Sequence, residues 1–153
     1  MNALIFGHAG AMLLILAGGE MLTSTTAARA LSLEAGTCSA IDGDTLRCGR
    51  ERVRLLGIDA AERSGHCRQG RVCAPGDPEA QRAALQRRMQ TRITIMPVKR
   101  DRYGRMVAIV HSAAGTNLSC AMLQAGASYV ARWDDRNAIR RSCSSTVSQA
   151  NHL

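Results

Sequence analysis

The stretch ERVRLLGIDAAER, residues 51–63, decides the reading of this chain. Val53, Leu55, Leu56 and Ile58 form an apolar run of strand length. Arg54 nevertheless sits inside that run, and Asp59 and Glu62 follow at its exit. A buried guanidinium is costly unless it is paired or has a task. A second acidic cluster, IDGDT at residues 41–45, stands just upstream. Apolar residues on both sides of the Arg54 strand suit a small barrel, where one strand face packs inside and the other lies beneath a helix.

Working outward, residues 37–58 read as three strands, TCSAI, DTLRC and RVRLLGI. RSGHCRQGRVCAPG, residues 63–76, is a Gly-rich basic loop. Asp77-Pro78-Glu79 opens a helix, with Asp as N-cap, Pro at the first position and Glu complementing the dipole; it runs through AQRAALQRRM. TRITIMPV (residues 91–98), a turn at DRYG and RMVAIVHS then form a hairpin. Residues 117–125 predict a second helix with Leu118, Ala121, Met122 and Ala125 on one face and Gly126 as its stop. ASYVA reads as a short strand and DDRNAIRRS as a short helix. Five short strands with a helix after the third predict an α+β fold: a five-stranded OB-fold-like β-barrel with two to three short helices, disulfide-stabilised. Residues 31–142 are expected to form the domain and residues 143–153 a loose polar tail.

The chain has 153 residues, which suits one domain. Residues 9–19, AGAMLLILAGG, are apolar but too short for a bilayer span of roughly 20 residues. Ala28-Arg29-Ala30 fits a small-residue cleavage site. Residues 1–30 are therefore expected to be a signal peptide, with a retained N-terminal anchor or a misassigned start codon as the alternatives. The mature protein is expected to be periplasmic or secreted, monomeric and without stable membrane association. All 6 cysteines lie beyond that cleavage point, as in a disulfide-stabilised exported domain. Cys38 and Cys48 flank the Asp42-Gly43 hairpin signal, Cys67 and Cys73 close a short loop, and Cys120 and Cys143 are left to each other. A metal reading of HCRQGRVC, with His66 as an extra ligand, lacks a second ligand pair at zinc spacing. The net charge of +8 is unchanged by removal of residues 1–30 and points to a polyanion, DNA and/or RNA, as partner.

Asp42, Asp44 and Asp59 place carboxylates at a hairpin turn and a strand exit. Such hard oxygen donors suit Ca²⁺, although Asp-Gly is also simply what tight turns use. Arg54 reads either as half of a buried ion pair or as a fork aimed at phosphate. Arg105, in DRYGR, is either a solvated hairpin arginine or a side chain projecting over the same site.

IDGDT, RLLGIDAAE and RYGR, in this order, followed by GTNLSCAMLQAGAS, resemble the staphylococcal (micrococcal) nuclease family of secreted, Ca²⁺-dependent phosphodiesterases over residues 37–133. The resemblance implies that Asp44 and Asp59 ligate Ca²⁺ through carboxylates and Ala60 through its carbonyl, with Asp42 and Thr45 supporting them from behind. It implies that Glu62 activates water, that Arg54 and Arg105 neutralise phosphoryl charge, and that Tyr103 contacts the nucleotide. DNA and RNA would both be cut, leaving 3′-phosphates. Ala61 stands where the family usually has Pro, which predicts a more mobile Glu62 loop. Further on, Tyr129, Arg132 and Trp133 replace the family's base-holding tyrosines, with Arg132 and Trp133 available to stack. The third helix is shortened, and a Cys120–Cys143 bridge would replace its anchoring. Two other readings remain: a non-enzymatic OB-fold nucleic-acid-binding module, and a disulfide-stabilised scaffold with no polyanion partner.

Overall fold

A computed structural model of the protein describes residues 30–33 and 36–153. The expected signal segment, apart from Ala30, lies outside the described residues. The frame is a curled, mixed, six-stranded half-barrel. Its heart is the antiparallel hairpin of β3 (Thr45–Cys48) and β4 (Glu51–Leu55), with β2 (Cys38–Ala40) on its outer side. Across β4 runs β7 (Met106–Ser112) in parallel, and β6 (Ile93–Arg100) pairs antiparallel with β7. Pro97 lies at a register shift in β6, where a residue without an N–H is tolerated. A short β1 (Leu31–Leu33), absent from the sequence expectation, adds to the free edge of β6.

Strand alternation divides β4 by function. Val53 and Leu55 are almost wholly buried in the core, and Arg54, between them, points to the opposite face. The core continues through Leu46, Ile93, Ile95 and Val110 of the sheet. Leu85 of α1 (Pro78–Arg88) and Leu118 and Met122 of α2 (Leu118–Gln124) pack against it. Asp77 caps α1 by accepting N–H bonds from Glu79 and Ala80, with Pro78 in the first turn.

The expected third strand, residues 52–58, is broken in two. Gly57 adopts φ +73°, a conformation that favours glycine. The chain turns there and restarts as β5 (Ile58–Asp59), which joins β8 (Ser128–Tyr129) and β9 (Asn151–His152) in a small second sheet. The break swings Asp59 back beneath Arg54.

Residues 143–153 are not a loose tail. They form α4 (Ser144–Gln149), which buries Val147, and then β9, which pairs parallel with β8. DDRNAIRRS forms a 3-10 turn and then α3 (Ala138–Ser142), with Ile139 fully buried. Asp134 anchors this end by accepting from Tyr129 Oη and the Ile139 and Arg140 amides, each at 2.9 Å. Burial and the bond to Asp134 push the Tyr129 phenol up to about 12.

Three disulfides close the fold: Cys38–Cys48, Cys67–Cys73 and Cys120–Cys143. The first joins directly opposed residues of β2 and β3, and the last ties α2 to the α3–α4 junction. Three such bridges suggest an oxidising compartment. No helix among the described residues is long and apolar enough to cross a membrane. Replacing Cys120 and Cys143 together by Ser releases a loop with a sequence separation of 23. That double variant should lose about 3 kcal/mol of stability in urea unfolding under non-reducing conditions. An unchanged midpoint would show that the C-terminal helices are held without the crosslink.

Candidate active site

Arg54 is the centre of the site. Its Nη1 donates to Asp44 Oδ1 at 2.5 Å, and its Nη2 donates to Asp59 Oδ1 at 2.8 Å and to the Ile58 carbonyl at 3.1 Å. All three charged side chains are buried: Arg54 is 9 % exposed, Asp44 2 % and Asp59 1 %. Register explains the first contact. Thr45 faces Arg54 across the β3–β4 hairpin, which sets Asp44 at the end of the guanidinium.

Asp44 is held from every side. Its Oδ1 accepts from Thr45 Oγ1 and its Oδ2 from the Ala60 amide, both at 2.8 Å, while Asp42 Oδ1 accepts the Asp44 amide at 3.1 Å. Burial pushes its carboxyl up to about 6, against the pull of the Arg54 charge and with a further push from Asp42. Arg54 is held above its ordinary value, because Asp44 and Asp59 outweigh its own burial. Space is tight here. A Cβ on Gly43 would stand 2.8 Å from the Cβ atoms of both Ala60 and Gln81.

The expected mobility of the Glu62 loop is not what its contacts indicate. Ala61 is buried, forms a bridge with Ala74, and donates its amide to Gln81 Oε1 at 2.8 Å. Gln81 is a buried side chain of α1 whose Nε2 reaches the Pro75 carbonyl at 3.5 Å. A proline at position 61 would have no N–H to give. In this chain alanine is the residue that lets α1 hold the loop.

Arg54, Glu62, Tyr103, Arg105, Arg132 and Trp133 line one open cleft of about 900 Å³, with Asp44, Asp59 and Ala60 buried behind Arg54. Arg105 is anchored by Asp101, which accepts its Nε at 2.7 Å and its amide at 3.0 Å. Burial works against the Asp101 charge, but these bonds keep its carboxyl below the ordinary range. Arg52, Arg68, Arg71, Lys99 and Arg102 add further positive charge to the walls.

Two aromatic rings serve as plates for these cations. The guanidiniums of Arg102, Arg105 and Arg68 lie 4.9, 5.4 and 5.9 Å from the Tyr103 ring. Those of Arg132, Arg54 and Arg71 lie 5.2, 5.3 and 5.8 Å from Trp133. A hydrogen bond from Arg102 and the nearby positive charges pull the Tyr103 phenol below its ordinary value.

Sequence reasoning missed two residues. Arg71 reaches from the basic loop to Asp59 Oδ2 at 2.6 Å and Glu62 Oε1 at 3.3 Å. Its only sequence signal is a position in a short Cys-flanked loop just after the acidic exit of β5. Gln81 was more legible, as a polar residue at helical spacing from Ala84 and Leu85 on a buried face.

The staphylococcal nuclease homologue family matches residues 52–152, about two thirds of the chain. The chain belongs to that family. It is also similar to the succinoglycan biosynthesis protein ExoI of Rhizobium meliloti (strain 1021), at 34 % identity over 95 residues. That similarity covers 60 % of this chain and 49 % of the relative, so the chain spans about half the relative's length.

Among the described residues no group of three or more His, Cys, Asp or Glu is arranged to hold a metal ion. A hard cation is still compatible with the donors present: two buried carboxylates, the Ala60 carbonyl and no soft ligand.

Two predictions follow from this geometry. Ala61→Pro should destabilise the protein by about 1–3 kcal/mol in urea unfolding, because it orphans the buried Gln81 oxygen. Gln81→Leu in the same background should cost less than the two single changes added together. Full additivity would contradict the contact. The second concerns pH. Asp44 binds its proton more tightly in the folded state, at about 6 against an ordinary 3.8. Its contribution to stability in chelator should therefore fall as pH rises through that window. The difference between wild type and Asp44→Asn in thermal melts should slope accordingly, and a flat difference would contradict the burial effect.

Proposed function

We propose that this chain is an exported, Ca²⁺-dependent nuclease that hydrolyses phosphodiester bonds of DNA and RNA and acts as a monomer. The observation that carries this reading is a guanidinium seated between two buried carboxylates at the floor of a cationic cleft, with Glu62 on the wall. Family membership supports nuclease chemistry and metal dependence. Three disulfides and the apolar run at residues 9–19 support export.

In this reading Asp44, Asp59 and the Ala60 carbonyl hold the cation, with Asp42 and Thr45 fixing Asp44. Bound there, Ca²⁺ would supply Lewis acidity and a template for the scissile phosphate. Glu62 takes the proton of the attacking water. Arg54 and Arg105 stabilise the charge that builds on the phosphoryl oxygens, a role that suits planar, permanently charged forks. Asp101 pre-orients Arg105, and Trp133 supports Arg54 through its ring face. Tyr103, Arg132 and Trp133 carry the nucleotide, and the surrounding cations draw in the polyanion in a salt-dependent way.

The test is cleavage of single-stranded DNA and RNA oligonucleotides by the oxidised protein, in Ca²⁺ and in chelator, beside Glu62→Gln. The expected result is Ca²⁺-dependent cleavage that Glu62→Gln slows by about 10²–10⁴-fold while oligonucleotide binding persists. Salt-sensitive binding with no product in Ca²⁺ would overturn this reading in favour of a nucleic-acid-binding module.

A further inference from the structure

Arg71 occupies a place that the proposed chemistry does not require. Its two terminal nitrogens bridge Asp59 Oδ2 and Glu62 Oε1. The residue arrives on a loop closed by Cys67–Cys73, with its own amide bonded to the Arg68 carbonyl at 3.0 Å. The crosslink keeps that loop short and the guanidinium close to the acids, which raises its effective concentration there.

Asp59 is thereby saturated with positive partners, Arg54 on Oδ1 and Arg71 on Oδ2. A divalent cation held by the same carboxylate would add two charges within a few ångströms of both. At such separations like charges repel by several times thermal energy, even at the effective dielectric of a protein surface. Arg54 cannot yield, because it is a buried strand residue paired at both ends. Arg71 can, since its side chain is 32 % exposed and borders the open cleft.

We propose that Arg71 is a tethered counter-cation: it neutralises Asp59 and Glu62 when no divalent cation is bound, and it competes with that cation for them. The proposal rests on the assignment of Asp44, Asp59 and Ala60 as cation ligands. Docked Arg71 lowers the apparent cation affinity in proportion to its occupancy. Once displaced, the guanidinium is free for a substrate phosphate, so cation and polyanion favour each other's binding.

The experiment is calorimetric titration of the oxidised protein with CaCl₂, on wild type, Arg71→Gln and Arg71→Lys. The chain's single tryptophan, Trp133, is followed in parallel by fluorescence, because Arg71 lies against its ring. Arg71→Gln should bind Ca²⁺ roughly tenfold more tightly than wild type, the repulsion being discounted for solvent exposure. Arg71→Lys should fall between them. Ca²⁺ should shift Trp133 emission more in wild type than in Arg71→Gln. Equal or weaker Ca²⁺ binding by Arg71→Gln would overturn the proposal and leave the cation site standing. Absence of Ca²⁺ binding in all three proteins would overturn both the proposal and the cation site on which it rests.

Discussion

One buried guanidinium sets the terms for the rest of this structure. Arg54 occupies a central strand between two core residues, where an uncompensated charge would cost several kcal/mol. Its compensation comes from two places in the chain, the hairpin turn that carries Asp44 and the strand exit that carries Asp59. Neither acid is near enough by chain path alone. The β3–β4 register brings in the first, and the break at Gly57 brings in the second. Removing Arg54 would leave two buried carboxylates without their shared counterion, so the arrangement behaves as a unit.

Around this unit the charges are layered. Asp44 and Asp59 lie buried at the back, and cations form the walls of the cleft. The walls attract a polyanion at long range and lose that attraction as salt screens it. The layer behind is shielded from water, so its interactions are stronger and less salt-sensitive. The aromatic plates hold arginines in fixed directions at the boundary between the layers, which would reduce the entropy cost of binding a phosphate there. The ring of Trp133 thus serves the guanidiniums of Arg54, Arg71 and Arg132 in its own chain.

Much of this could be read in the sequence, for reasons that differ by residue. Arg54 was conspicuous because a charge inside an apolar run demands a partner, and IDGDT offered one. The hairpin, the Asp77 cap and the α2 face all followed local rules of turn chemistry and periodicity. Long-range effects were less legible. Gly57 looks like part of a strand, because the turn there is marked only by distant contacts, such as the bond its carbonyl accepts from the Val130 amide. Residues 143–153 look loose because their polar composition hides long-range anchors: the burial of Val147, the bridge from Cys143 to Cys120 and the pairing of β9 with β8. Ala61 looked like a loss of stiffness, since the amide that proline would remove finds its acceptor in a helix twenty residues away. Loop composition placed Arg71 near the site, but spacing alone cannot say where a loop side chain points.

In the proposed mechanism Arg54 would stabilise charge on a phosphodiester undergoing cleavage, beyond its pairing with Asp44 and Asp59. The most direct measurement is single-turnover cleavage of a single-stranded oligonucleotide in Ca²⁺ by Arg54→Lys, with the oligonucleotide Kd measured alongside. Lysine keeps the charge but not the fork. The rate should fall by about 10²–10³-fold with Kd nearly unchanged. A rate within about threefold of wild type, or a loss that tracks Kd alone, would contradict it.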